Sequence, residues 1–222
     1  MASHLDLEEQ EQLDQLKAFW KRWGNLITWV LTAVLAAFAA WQGWNWYQRD
    51  QAAKAAAMYD EFDRAYNAQD LDKAAAAAGD LQARYAGTAY AAQAGLQVAK
   101  LQLDKEKADD ARKALAWVAE HGSEGPYRDI ARLRLAGLQI DAKAFDEAGK
   151  TLDAIKSPEF TALVADRRGD ALLLQDKRDA AKAEYQKALA GLEKTQDYRR
   201  IVEAKLATLG VPAAVETTGA AQ

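Results

Sequence analysis

Few residues in this chain could do covalent or metal chemistry. Its histidines are His4, near the N-terminus, and His121, beside a turn, and its serines are Ser3, Ser123 and Ser157. The histidines are far apart and show no metal-ligand spacing, and no serine stands in a G-x-S-x-G elbow. No phosphate-binding glycine loop occurs either, so no cofactor is expected. Cysteine is absent, which removes disulfides, thiolate metal sites, cysteine nucleophiles and cysteine lipidation. Acidic pairs such as Asp109-Asp110 open helical segments, where carboxylates favour the helix dipole, and His121 suits a helix end. Arg168-Gly169-Asp170 falls inside a helical segment at a tight-packing position, which reads as architecture and not as an adhesion loop. These residues argue against an enzyme.

The elements that must carry these residues are helices. Of the 222 residues half are apolar and only three are proline, and long runs of Ala, Leu, Gln, Lys, Glu and Asp favour helix. A net charge of -4 with both signs mixed gives no basic field for nucleic acid.

From Trp23 to Gln48 no residue is charged, and Leu26 to Trp46 reads LITWVLTAVLAAFAAWQGWNW. Such a stretch spans roughly 30 Å as a helix, the thickness of a bilayer core. Trp20 and Trp23 stand at one edge and Trp41, Trp44, Trp46 and Tyr47 at the other, with Trp29 between. Indoles prefer the membrane interface, so these belts mark residues 23–47 as a transmembrane helix after an acidic tail of residues 1–22. Ala37-Phe38-Ala39 has the small-x-small form of a signal-peptide cleavage site. The acidic tail, with Asp6, Glu8, Glu9, Glu11 and Asp14, is unlike a basic signal-peptide start. Flanking charges barely orient the span: Lys17, Lys21 and Arg22 oppose Arg49, Lys54 and Arg64. The Lys21-Arg22 pair beside the apolar edge favours a cytoplasmic N-terminus.

Helix-length segments follow at 48–67, 70–85, 88–104, 106–121, 126–141, 144–156, 158–175, 178–192 and 196–209, with Pro126 and Pro158 just inside helix starts. AlaxxxLeuxxVal from Ala111, AlaxxxLeuxxIle from Ala148 and AlaxxxTyrxxAla from Ala181 repeat at 37 and 33 residues. Gly169, Leu172, Ala181, Tyr185 and Ala188 give the tetratricopeptide alternation of small and large, and Ala99 and Ala136 take the small place in earlier units. A first unit with Phe62 and the Ala74 to Ala78 run is degenerate, and the repeat tryptophan and closing proline are missing. The expected fold is all-α: one transmembrane helix, a tetratricopeptide-like α-solenoid over 48–210, and a disordered tail over 211–222. An ordinary helical bundle is the alternative.

The order of parts, with Leu133-Arg134-Leu135-Ala136, Thr151-Leu152-Asp153-Ala154-Ile155-Lys156 and Val164-Ala165-Asp166-Arg167-Arg168-Gly169-Asp170-Ala171-Leu172, resembles the YfgM-like ancillary subunits of the bacterial Sec translocon. The resemblance spans nearly the whole chain and is strongest from Leu133 to Ala188. It implies an inner-membrane protein with a periplasmic repeat domain. It also implies association with the Sec channel and with a membrane-anchored periplasmic chaperone of prolyl-isomerase type, assistance to exported client proteins, and no catalytic residues. The repeat register turns Gln93, Leu96, Lys100, Leu103, Ile130, Leu133, Ile140, Asp166, Asp170 and Leu173 toward a partner-binding side, although the leucines and Ile130 serve equally well as core. Charge reversal at Lys100 or Asp170 is then expected to weaken partner capture without lowering the melting temperature. A second reading gives the acidic tail a regulatory role, binding a cytosolic factor or controlling turnover.

Overall fold

The computed structural model describes residues 7–123, 125–193, 195 and 197–211. Ser3, His4 and, apart from Val211, the expected disordered tail lie outside them. The chain forms two compact units, one ending at Gln51 and one beginning at Ala52.

Helix α1 runs Leu7–Asn67, so the apolar span and the segment expected at 48–67 are one continuous helix. Neither Gly nor Pro lies between Gly43 and Asn67, and nothing else there favours a stop. The helix also extends upstream of the apolar span, through residues placed in the N-terminal tail. Trp20, Trp23, Trp29, Trp41, Trp44, Trp46 and Tyr47 are all exposed, as are Leu26, Val30, Val34 and Phe38. Only 6% of the most apolar window is buried. A core helix of a water-soluble domain would be covered by protein, whereas an uncovered surface this apolar suits lipid. Thr28 and Thr32 donate their hydroxyls to the Gly24 and Thr28 carbonyls, both at 2.8 Å, so neither brings an unsatisfied donor into the hydrocarbon. The chain is membrane-anchored.

In the second unit, successive helices pack as antiparallel pairs. The end of α1 pairs with α2 (Leu71–Tyr85) through a shared core of Phe62, Ala65, Ala74, Ala78 and Leu81. Next come α3 (Ala89–Asp104) with α4 (Ala108–His121), α5 (Gly125–Asp141) with α6 (Phe145–Asp153), and α7 (Thr161–Leu174) with α8 (Arg178–Gly191). A 3-10 turn, Pro158–Phe160, leads into α7, and α9 (Asp197–Thr208) closes the array.

The turn inside each pair reveals the repeat. Gln69, Glu106, Lys143 and Asp176 all have φ between 56° and 61°, and each follows its neighbour by 37, 37 and 33 residues. In each case the next residue's N–H reaches back into the first helix. Asp70 donates to Ala65 at 3.0 Å, Lys107 to Gln102 at 2.7 Å, Ala144 to Gln139 at 2.8 Å and Lys177 to Leu172 at 3.0 Å. A left-handed residue closing a helix this way is usually glycine. Here none is, which hid the motif from a reading of residue types. Glu106→Gly and Lys143→Gly should each stabilise the repeats by about 0.5–1 kcal/mol, raising the melting temperature by about 2–4 °C in circular dichroism.

From those turns the core falls into register. Ala74, Ala111, Ala148 and Ala181 occupy equivalent places on the second helices, and all are fully buried. One turn further on, Ala78, Leu115, Leu152 and Tyr185 meet the level of Phe62, Ala99, Ala136 and Gly169 on the first helices. The first unit therefore inverts the sizes: Phe62 supplies the bulk and Ala78 the space, and both are buried. What read as degeneracy preserves the packed volume.

A polar bracket holds the long connection before α7. The Ser157 hydroxyl donates to the buried Asp129 carboxylate. Arg132 donates to Asp129 at 2.8 Å and to the Ala119 carbonyl at 3.1 Å. Ser157 and Asp129 thus satisfy one another inside the fold, as burial demands.

Candidate functional site: a groove across three first helices

The first helices of the second, third and fourth pairs leave an open groove of about 660 Å³. Leu96, Ala99, Lys100 and Leu103 line it from α3, Leu133, Arg134, Gly137, Leu138, Ile140 and Asp141 from α5, and Arg167, Asp170, Leu173 and Leu174 from α7. The lining is mainly aliphatic with charges among it. Leu103, Leu174 and Ile201 are the large apolar side chains classed as exposed among the described residues of the second unit. Two of these three stand at the groove.

Of the residues expected to face a partner, Leu96, Lys100, Leu103, Leu133, Ile140, Asp170 and Leu173 line the groove. Leu96 and Ile140 are nevertheless buried, contributing to its floor. Gln93 stands apart, donating its amide to the Tyr127 hydroxyl at 2.7 Å and so joining α3 to α5. Ile130 packs against the core shared by α3, α4 and α5. Arg134, Gly137, Leu138, Asp141, Arg167 and Leu174 also line it and escaped the sequence reading. Gly137 is a mid-helix glycine, but so are Gly79 and Gly149, which do not line the groove, so residue type does not single it out.

Asp166 is a correction. It is fully buried, and its carboxylate accepts from Lys205 at 2.8 and 2.9 Å and from the Tyr198 hydroxyl at 2.7 Å. Asp170, one turn along α7, accepts from Lys205 at 2.7 Å, the Tyr185 hydroxyl at 2.8 Å and Arg167 at 3.1 Å. These groups tie α7, α8 and α9 together. Asp170 cannot be reversed without breaking this lock, so Asp170→Lys is expected to lower the melting temperature, contrary to the sequence-based expectation.

The lock is also sensitive to alkali. Burial, followed by the acceptor carboxylates Asp170 and Asp166, pushes the Tyr185 and Tyr198 phenols well above their ordinary value near 10. Because the folded state holds these protons more tightly, their contribution is complete below about pH 10 and is lost as pH rises above it. Thermal melts from pH 8 to 11 should fall more steeply for the wild type than for Tyr198→Phe.

His121 lies exposed at the end of α4, stacked on Trp117, with its Nδ1 3.1 Å from the Trp117 carbonyl. Asp109 and Asp110 occupy the first turn of α4 and pair with Arg112 at 3.0 Å and Lys113 at 3.2 Å. Gly169 sits in mid α7, where a Cβ would lie 2.5 Å from the Tyr185 ring.

The description of tetratricopeptide repeat-like domains matches residues 17–211. The chain belongs to this family. Tetratricopeptide repeat-like proteins stack helix pairs into binding scaffolds, in keeping with the paired helices and the groove. The chain is also similar to proteins named ancillary SecYEG translocon subunit. In Neisseria gonorrhoeae the identity is 29% over 94% of this chain and all of that protein. For Haemophilus influenzae it is 29% over 82% of this chain and 89% of the relative. For Escherichia coli it is 28% over 80% and 85%. The match to the Neisseria gonorrhoeae protein leaves too little of the chain uncovered to omit either the apolar span or the repeats.

Proposed function

We propose that this tetratricopeptide repeat-like protein is a non-catalytic, membrane-tethered adaptor of the bacterial Sec translocon. It links the channel to a membrane-anchored periplasmic chaperone of prolyl-isomerase type and assists exported proteins by binding them. The open aliphatic groove carries this reading, because an anchored chain presents to water apolar side chains that a partner can cover. End-to-end similarity to ancillary SecYEG subunits supports the choice of partner. The protein then crosses the inner membrane once, with a cytoplasmic N-terminus and a periplasmic repeat domain. The Lys21-Arg22 pair at the apolar edge favours this direction, and long C-terminal domains translocate largely regardless of charge.

A photo-crosslinker at Leu174 in intact membranes, read by mass spectrometry, should capture channel subunits, the chaperone and exported chains. Capture of none of them would sink the proposal. Absence of native cysteine permits a clean orientation test: Ser123→Cys should react with an impermeant maleimide in intact spheroplasts, and Ser3→Cys only after lysis. Deleting residues 2–16 should leave the crosslinks intact, whereas a regulator acting through its acidic tail would lose function.

A further inference from the structure

We infer that the part of α1 just before the apolar span binds the headgroup of an anionic phospholipid, its phosphate between Lys17 and Lys21 and the glycerol end of its acyl chains against Leu16 and Trp20. These four residues line an open recess of about 420 Å³. Residues four apart share a helix face, so Lys17 and Lys21 form one row and Leu16 and Trp20 the row beside it. One row is cationic and the other apolar, which matches a ligand whose charged phosphate is joined to hydrocarbon.

Trp20 forms the wall of the recess on the side of the span. A Cβ at Gly24 would lie 3.1–3.2 Å from its indole ring, so the ring covers the glycine one turn nearer the apolar stretch, and Gly24 is buried beneath it. The indole N–H has no acceptor among the described residues. Lys21 has no ion-pair partner among them either, and Lys17 holds only Asp14, at 3.2 Å, with both side chains well exposed. Such a pair contributes little, so a phosphate can replace the carboxylate. Arg22 is engaged elsewhere, over the Trp23 ring at 5.9 Å.

Depth along the helix decides the ligand. At 1.5 Å per residue, Lys21 lies about 3 Å and Lys17 about 9 Å before Trp23, whereas Asp14 and Glu11 lie about 14 and 18 Å before it. The headgroup layer is about 5–7 Å thick on each side of the hydrocarbon, and a lysine stem bridges the few ångströms that remain. Both ammoniums therefore reach the level of the phosphates, while every acid of the N-terminal segment stands upstream of Lys17. A zwitterionic lipid brings its own cation to its phosphate and an anionic lipid does not, so the two lysines select the anionic one.

The test places the full-length protein in phosphatidylcholine nanodiscs whose leaflets have the same composition, so the direction of insertion does not matter. The discs carry a trace of photoactivatable phosphatidylglycerol, or of phosphatidylcholine with the same diazirine near the head of an acyl chain, and labelled peptides are read by mass spectrometry. Phosphatidylglycerol should label residues 16–21 about fivefold more at low salt, the gain that one lysine near an anionic surface supplies. Lys17→Gln with Lys21→Gln should remove the difference with helix content unchanged in circular dichroism, and Arg22→Gln should keep it. Inorganic phosphate in excess should not compete. Equal labelling by the two lipids, a preference that survives the double variant, or one that Arg22→Gln abolishes overturns the inference. So does competition by inorganic phosphate, since a free anion would then be the occupant. Labelling that falls as more protein is loaded per disc overturns it as well, because a second copy would then cover the recess.

Discussion

Lys205→Met is expected to destabilise the repeat unit by about 3–5 kcal/mol, because it strands a fully buried carboxylate. Lys205 reaches across from α9 to Asp166 at 2.8 Å and to Asp170 at 2.7 Å. Asp166 is wholly inaccessible to water, whereas Lys205 keeps partial exposure. Removing the ammonium therefore leaves two carboxylates one helical turn apart, with only tyrosine hydroxyls and Arg167 nearby. The loss should appear first in α9, which Val202 and Leu206 otherwise hold against Tyr185 and Ala188. Hydrogen exchange should report that helix opening before the rest. Pairing Lys205→Met with Asp166→Asn should recover most of the loss, since no uncompensated charge then remains at the buried position. Full stability of the single variant, or no recovery in the double one, would refute the assignment of Lys205 as the lock.

The helical repeat was legible because its second helices carry a local signal, Ala followed by a large residue at helical spacing from Ala111, Ala148 and Ala181. The anchor was legible because apolar length and tryptophan belts follow from lipid chemistry. Three features were not. Gln69, Glu106, Lys143 and Asp176 adopt a glycine-like conformation without being glycine, so the motif that unites all four units has no residue signature. Phe62 and Ala78 exchange the sizes found in later units, which hides a conserved volume behind unlike residues. The lock on Asp166 joins residues more than thirty positions apart, and a carboxylate on α7 reads the same from sequence whether it faces a partner or a buried lysine. The groove was half legible: periodicity identified its helices, but not that Gly137 lies open on its lining while Gly169 is filled.

Gly169→Leu is expected to cost about 3 kcal/mol or more, because the space it needs is already occupied. A Cβ at Gly169 would stand 2.5 Å from Cε1 and 2.6 Å from Cδ1 of Tyr185, well inside van der Waals contact. Tyr185 is fully buried and bonded to Asp170, so its ring cannot swing away cheaply. Even Gly169→Ala should destabilise, although alanine gains about 1 kcal/mol of helix propensity over glycine. The earlier units show how the clash resolves: Ala99 lies level with Leu115 and Ala136 with Leu152, each pair buried with a smaller side chain on the second helix. Gly169→Ala combined with Tyr185→Leu rebuilds that arrangement in the fourth unit. The double variant should lose about 1 kcal/mol for the missing tyrosine hydrogen bond and regain most of the packing. Its melting temperature should therefore exceed that of Gly169→Ala alone. If the two substitutions were simply additive, the repeat register set by the four left-handed turns would not be what governs packing between the helices.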